Sequence, residues 1–322
     1  MQKHSNVVSV KVFIFTLILT LAFSLISYAG GPGTSGAQFL KIGVGARSIA
    51  MGETGSISED ANSIYWNPAG LAGLSKKEVS LMYGLWIETI NFNHLALALP
   101  LNFGTIGIGT DILGMGAMDK YDNSGAKVGQ TFTASDTAIT LTYAKAMKAG
   151  DMPLNVGINL KSISSTIDST NAAAIGFDLG AQLKLRGDKI VAGLAIQNLG
   201  SGMNFKLTST SPTDPLPMNI KVGGSYSFIS DNQQTLITGL DINMPNDNDL
   251  RYNLGAEYAR NVGKDIKLAG RAGYRSNTKG LEGLAGLTFG VGFGIKSYSL
   301  DWAFVPYGQL GDTHRISFSA RF

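Results

Sequence analysis

From residue 78 onward, apolar and polar side chains alternate along most of the chain. Ile175, Phe177 and Leu179, for example, alternate with Gly176 and Asp178. Side chains of an extended strand point to opposite faces in turn, so this alternation predicts strands with one apolar face and one polar or small face. The pattern is typical of membrane barrels, whose strands face lipid outside and a polar lumen inside. It recurs at 220–228, 252–258 and 300–304.

Marking a strand wherever such a run is bounded by turn residues predicts about 14 antiparallel strands, an even number and of spanning length. The division between the twelfth and thirteenth strands, at Lys296, is the least marked. The predicted spans are 78–86, 88–100, 104–113, 135–147, 154–164, 172–185, 188–198, 218–229, 234–244, 250–261, 265–276, 283–295, 297–307 and 313–322.

The last predicted strand is apolar on one face to its final residue. Ile316, Phe318, Ala320 and Phe322 share that face. A membrane barrel has to pair its final strand with its first so that no sheet edge remains open, which predicts that this strand closes the barrel. Taken alone, the stretch also fits an edge strand of a soluble sandwich.

The lengths of the predicted connections depend on whether the preceding strand is odd-numbered or even-numbered. The two longest, 114–134 and 199–217, follow the third and seventh strands, whereas connections after even-numbered strands are tight. The exception is the first outward turn, near Ile87, which is short although a long loop is allowed there. Outer-membrane barrels have long extracellular loops and short periplasmic turns, and a soluble sandwich has no reason for this separation. The sequence therefore favours an all-β transmembrane antiparallel barrel formed by residues 78–322. Tyr83, Trp86, Tyr143, Tyr274, Tyr298 and Tyr307 lie toward strand ends, where aromatic residues at the membrane interface are expected.

The first 29 residues have a different pattern. An apolar run at 12–26 is preceded by Lys3 and Lys11 and followed by the small-x-small sequence that ends at Ala29. We interpret residues 1–29 as a cleaved secretory signal peptide. The alternative is a membrane anchor, but the run is shorter than the roughly 20 residues of a spanning helix. Export and a barrel together predict the outer membrane of a Gram-negative-type bacterium.

The amino-acid composition argues against nucleic-acid binding and excludes any chemistry that requires cysteine. Loss of residues 1–29 would remove two lysines and no acidic residue, leaving 24 basic and 23 acidic residues. With this balance the chain lacks the excess of positive charge that nucleic-acid binding proteins use to contact phosphates. The chain has no cysteine, which excludes disulfides, a cysteine nucleophile and thiolate metal sites.

Residues 30–77 are rich in glycine and alanine and show no sustained alternation. Asn67 precedes Pro68, so a short helix is expected to start at Pro68 with Asn67 as its cap and to end near Gly73. The notable stretch is Tyr65, Trp66, Asn67, Pro68, Ala69, Gly70 and Leu71, here called the plug motif.

This motif, with 33–40 and the Gly43–Arg47 turn, resembles the start of PorV/PorQ family outer-membrane proteins. More distantly, Asn67-Pro68-Ala69-Gly70 is similar to the amino-terminal region of FadL-type fatty acid transporters. The resemblance implies that residues 30–77 fold into the lumen as a plug. The chain has Glu53 where the family pattern usually has a second glycine, which leaves the turn at that point open.

Catalytic and metal-binding chemistry is not expected. His94 and His314 lack metal-ligand spacing, and Asp312, His314 and Ser317 cannot form a triad because His314 and Ser317 fall on opposite faces of one strand. No enzyme activity, metal or cofactor is therefore predicted. Charged residues on the polar strand faces mix both signs, so a polar lumen would hold them paired or solvated. Simple solvation is favoured over a ring that anchors the plug or screens solutes. These charged residues are Asp111, Lys161, Asp178, Lys184, Asp241, Glu257, Arg271 and Asp301.

The resemblance implies two functions. In the first, the barrel moves hydrophobic solutes across the outer membrane, and an apolar pocket should contact 64–74. In the second, it is a secretion accessory whose extracellular loops bind exported proteins while the lumen stays blocked. The partners expected are outer-membrane lipid, the barrel-assembly machinery, and either a hydrophobic small molecule or an exported protein.

Overall fold

The computed structural model describes residues 31–206, 211–276, 278 and 282–322, so the predicted signal peptide lies outside the described residues. Fourteen antiparallel strands close into a barrel, which confirms the predicted fold class, and two further strands form a separate hairpin. The strands are β1 (Glu78–Leu85), β2 (Asn91–Leu101), β3 (Gly104–Gly114), β4 (Met118–Tyr121), β5 (Lys127–Phe132), β6 (Ala134–Ala149), β7 (Met152–Ile167), β8 (Thr170–Leu185), β9 (Ile190–Gly200), β10 (Asn219–Ser230), β11 (Gln234–Pro245), β12 (Arg251–Val262), β13 (Ile266–Arg275), β14 (Leu287–Ile295), β15 (Tyr298–Pro306) and β16 (Asp312–Arg321).

Most predicted boundaries hold within a few residues. The tight turn at Lys296 exists, and Lys296 adopts φ 53° there. β14 begins at Leu287 and not at 283, because Gly283 and Gly286 form a turn with positive φ. The hairpin β4–β5 was not predicted; it lies in the long connection between β3 and β6.

The last strand closes the barrel against the first. β16 pairs with β1 in a continuous antiparallel register that places Leu81 opposite Phe318 and Tyr83 opposite Ile316. Ile316, Phe318 and Phe322 are exposed on the outside. Ala320 shares their face but is buried, because its small side chain lies between the neighbouring strands.

The two ends of the barrel differ. We call the end that carries the β3–β6 and β9–β10 connections the outer end, and the opposite end, where all turns are short, the inner end. Between the ends, the outward-pointing side chains form an apolar exterior, with Leu141, Leu160, Phe177 and Leu254 all strongly exposed. Lipid is the solvent that stabilises such a surface.

The segment before β1 lies inside the barrel and forms only short turns of helix, at Gln38–Lys41, Ala46–Ala50, Ser63–Trp66 and Pro68–Gly73. The turn from Pro68 to Gly73 and its Asn67 cap are as predicted, although it is a 3-10 helix; the Asn67 side chain accepts a hydrogen bond from the Ala69 amide. No helix among the described residues is long and apolar enough to cross a membrane.

Candidate functional site

The plug motif is buried inside the barrel along its whole length. Its two aromatic residues meet edge to face at 4.7 Å. The Tyr65 hydroxyl donates a hydrogen bond to Leu40 O (2.9 Å), and the Trp66 indole N–H donates to Val44 O (2.9 Å). Both bonds satisfy polar atoms that burial would otherwise leave unpaired. The two rings therefore hold the early part of the plug against its later part.

Asn67 connects the plug to the barrel wall. Its side-chain amide donates to Ser56 O (2.7 Å) within the plug and to Ala181 O (3.2 Å) on β8, while its oxygen caps the following helical turn. Pro68 supplies no amide hydrogen, which suits the first position of that turn.

The barrel wall that faces the plug is lined by glycine residues, which have no side chain to separate the two backbones. A Cβ atom added at Gly273 would lie 2.0 Å from Gly52 N, and one added at Gly255 would lie 2.2 Å from Met51 O. Real Cβ atoms do not approach so closely, so only glycine allows the plug backbone to touch these strands. The lumen is consequently filled at the level of the plug. The wall glycines in contact with it are Gly107, Gly109, Gly157, Gly180, Gly193, Gly223, Gly239, Gly255, Gly273 and Gly290.

A charged network fastens the inner side of the plug. Arg47 contacts Glu257 through two hydrogen bonds of 2.8 Å, and Arg271 bridges Glu257 (2.6 Å) and Asp301 (2.7 Å). A two-pronged guanidinium–carboxylate pair fixes orientation as well as charge. Arg47 is the plug's contribution to a network whose other members lie on the wall.

Glu53 fastens the outer side of the plug. It follows Gly52, and both have positive φ, so the turn that the sequence left open is formed by a non-glycine residue in the left-handed region. Its carboxylate pairs with Arg275 at 2.8 Å. Burial raises the pKa of the Glu53 carboxyl, but Arg275, Arg251 and Arg315 oppose burial and hold the pKa below its ordinary value. The ion pair explains why this strained position carries a glutamate.

The charged residues of the polar strand faces are paired, so the expectation of simple solvation is wrong. Asp178 is fully buried and pairs with Lys161 at 2.8 Å. The side-chain oxygens of Asp241, also fully buried, accept hydrogen bonds from the amide and hydroxyl groups of Ser56 in the plug. Lys184 likewise pairs with Glu59 of the plug at 2.7 Å.

The start of the plug is held by the β11–β12 connection. The Asp247 carboxylate accepts hydrogen bonds from Ser35, Gln38 and Lys41. Burial raises the pKa of Asp247, but these three donors outweigh burial and lower it below the usual aspartate value. The contact therefore stabilises the plug above the ordinary pKa of aspartate, about 3.9, and is lost as pH falls through the lowered value.

The outer half of the lumen is apolar on one side. Ile163, Ala172 and Ala174 project from β7 and β8 into the lumen and are buried there. Phe39 of the plug and Met203 of the β9–β10 connection pack against the same cluster, which also contains Leu40, Leu216, Ala138, Met82, Phe92 and Val305. A second cluster around Ile64 and Leu71 is closely packed. The apolar pocket expected against 64–74 is therefore occupied by side chains.

Three larger cavities adjoin the described residues. One of about 520 Å³ opens at the inner end, where Arg47, Lys267 and Arg321 line it. A groove of about 700 Å³ runs across β10–β13 beside Tyr226 and Tyr274. The third, about 250 Å³, lies at the outer end and is called the outer cavity; Lys41, Glu53, Trp86, Arg251, Arg275 and Tyr307 contribute to its lining.

Trp86 and Tyr307 differ from the prediction for interfacial aromatics. Their rings meet at 5.2 Å, and each ring stacks on a guanidinium: Arg315 lies 4.6 Å from the Trp86 centroid and Arg275 5.1 Å from that of Tyr307. They therefore pack on guanidinium groups at the outer end of the barrel and do not mark the lipid interface. Tyr83, Tyr274 and Tyr298 are exposed outside, as expected.

The described residues do not bring together side chains in the arrangement of a hydrolase triad or a metal site. No group of three or more His, Asp or Glu side chains there could hold a metal ion. His94 contacts Asp111 (2.7 Å) inside the barrel. His314 is exposed, whereas Ser317 points inward and its hydroxyl oxygen accepts a hydrogen bond from the Ala46 amide (2.8 Å).

Sequence reasoning missed the residues that anchor the plug. In the sequence, Glu53 stands out only as a departure from a glycine pattern, and Asp247 carries no local signal of a contact with the plug. Their partners lie about two hundred residues away in the chain, so no local pattern could identify them. Glycines recurring at inward positions of consecutive strands were the one available signal.

No protein-family model matches the chain, and no curated protein does. Solved structures do match its fold. The toluene transporter TbuX of Ralstonia pickettii superposes with a TM-score of 0.57 at 15% identity, covering 87% of this chain and 98% of that one. The CymD monoaromatic hydrocarbon channel gives 0.57 at 13% identity, covering 87% and 98%. The toluene transporter TodX of Pseudomonas putida gives 0.54 at 11% identity, covering 91% and 97%. At these identities the likeness shows a shared fold.

Proposed function

We propose that this protein is a non-enzymatic outer-membrane barrel of PorV/PorQ or FadL-like type that moves hydrophobic solutes. The observation that carries the proposal is the apolar side of the outer half of the lumen, around Ile163, Phe39 and Met203. A lumen that only held water would be lined by polar side chains. The barrel fold shared with TbuX and TodX, whose names describe toluene transport, supports the same function.

The packing suggests how a solute would enter. The apolar cluster is filled by side chains of the plug and of the β9–β10 connection, with Met203 among them. Methionine is flexible and adapts to different neighbours, so its displacement would open space next to Ile163 at low cost. The plug below, packed on wall glycines, would then have to shift before a solute could pass.

The test is binding of toluene to the detergent-purified full chain, measured by equilibrium dialysis against empty micelles. Ile163→Ser places a hydroxyl in the apolar cluster and should weaken retention about tenfold, because it removes most of one buried aliphatic contact surface. Ser164→Ala, on the lipid side of the same strand, is the matched control and should retain toluene like the unchanged chain. Toluene uptake equal to that of empty micelles would refute the proposal.

A second candidate is a secretion accessory that binds an exported protein at the outer end. Two observations favour it: the lumen is filled at the level of the plug, and β4–β5 forms a hairpin with Tyr121 and Val128 exposed. Native mass spectrometry of protein purified from its own membrane separates the two functions. A co-purified apolar ligand supports transport. A protein adduct that disappears when 118–132 is replaced by a short turn supports the accessory role.

A further inference from the structure

The outer cavity has an uneven charge balance. Lys41 pairs with Asp247, and Arg275 pairs with Glu53. Arg251 also lines the cavity, but among the described residues its side chain forms no hydrogen bond or ion pair, and its Nε atom is buried. Of the charged side chains that line this cavity, Glu53 is the single described carboxylate.

A second cation lies directly behind the cavity. Arg315 is 1% exposed and stacks on Trp86, whose ring lines the cavity. All three of its guanidinium nitrogens are buried without a hydrogen-bond partner in the described part of the chain. Its neighbours on the adjoining strands, Gly84 and Ala303, leave room for the long side chain, but their side chains offer no acceptor.

A buried guanidinium without a counter-charge is costly, and proteins normally pair such groups. Arg275 pairs with Glu53, whereas buried guanidinium nitrogens of Arg251 and Arg315 have no hydrogen-bond partner among the described residues. Planar guanidinium groups match carboxylate and phosphate oxygens better than any other ligand. An anion with several oxygen atoms would match the chemistry of these guanidinium groups.

We propose that the outer cavity binds an oxyanion, a phosphate or a carboxylate, through Arg251 and Arg275, with the charge of Arg315 behind Trp86 adding to the attraction. The free volume of about 250 Å³ accommodates such a group. The two aromatic rings that line the cavity are themselves engaged with cations, Trp86 with Arg315 and Tyr307 with Arg275. The site is separate from the apolar cluster on β7 and β8 and does not depend on the proposed transport function.

The test is isothermal titration calorimetry of the detergent-purified full chain, in low-salt buffer, with inorganic phosphate, acetate and dihexanoyl phosphatidic acid. We expect one of these probes to bind at a single site. Arg251→Gln should weaken that binding about tenfold or more, the loss expected for one charge-assisted contact. Arg260→Gln, an exposed arginine at the other end of the same strand, should change it by less than about twofold.

The Glu53→Gln variant distinguishes an anion-binding site from a cavity that holds only solvent. This change removes the internal carboxylate and leaves Arg275 unpaired, so added anion should bind more tightly by about tenfold. Binding of phosphatidic acid without binding of phosphate would identify a lipid headgroup as the source, and binding of both would identify the phosphate group itself. The proposal is overturned if no probe binds, or if the Arg251→Gln and Arg260→Gln variants bind equally.

Discussion

Replacing one wall glycine should release the plug without disturbing the barrel. Gly273 on β13 faces the plug, and an added Cβ would lie 2.0 Å from Gly52 N, 2.4 Å from Met51 C and 2.6 Å from Gly52 Cα. These are backbone atoms, so no side-chain rotation relieves the clash. Ordinary van der Waals contact begins near 3.4 Å, so the plug backbone at Gly52 would have to retreat by about 1.4 Å.

The cost of that retreat can be worked from the contacts nearby. The Gly52 amide donates to Thr288 Oγ1 (3.0 Å), and the Thr288 hydroxyl donates to Ala50 O (2.9 Å). Overpacking costs roughly 1–3 kcal/mol and each weakened buried hydrogen bond about 1 kcal/mol, giving about 2–5 kcal/mol against plug docking. A loss of 2 kcal/mol raises the population of the undocked plug about 30-fold.

Hydrogen exchange with mass spectrometry measures this population directly. In Gly273→Ala, amides of residues 46–58 should exchange at least about 30-fold faster than in the unchanged chain, while the strands stay protected. Gly270→Ala is the matched control: it lies on the same strand and has no atom within 4 Å of the added Cβ. Both changes gain the same small strand preference, so their difference isolates the clash. If the amides of residues 46–58 exchange in both variants at rates within about twofold of those in the unchanged chain, the close packing of the plug on the wall is refuted.

Three further changes follow from the buried charges and the closing strand. Lys161→Met leaves the buried Asp178 without its cationic partner and should lower the free energy of unfolding by about 3–5 kcal/mol, whereas Lys120→Met, which breaks an exposed pair, should cost about 1 kcal/mol or less; urea unfolding in detergent compares them. Asp247→Asn should abolish the acid-induced loosening of the plug start, which in the unchanged chain begins as pH falls below about 4; proteolysis against pH detects it, and an unaltered acid profile in the variant would contradict the assigned contact. Phe318→Arg places a charge on the lipid face of the closing strand and should cost up to about 2–4 kcal/mol of barrel stability, seen as a smaller folded fraction in vesicle refolding.

The barrel was predictable because its signals are local. Alternation of apolar and polar side chains repeats every two residues, and each strand carries it independently of its partners. Loop lengths added the direction of the strands, and the apolar face of Ile316 and Phe318 indicated the closing strand. Boundaries were less certain where glycine turns interrupt the alternation, as at Gly283 and Gly286.

The sequence by itself determined the all-β class, an even strand count and a short helical turn at Pro68. Only the tertiary structure decided which charged residues form ion pairs. Arg47 pairs with Glu257 and Glu53 pairs with Arg275, and in each pair the two residues are more than two hundred positions apart in the chain. It also decided that the charged residues on the polar strand faces are paired and that one side of the outer half of the lumen is apolar. The physical reason is that periodicity follows from neighbouring residues, whereas an ion pair depends on the register and closure of the whole sheet.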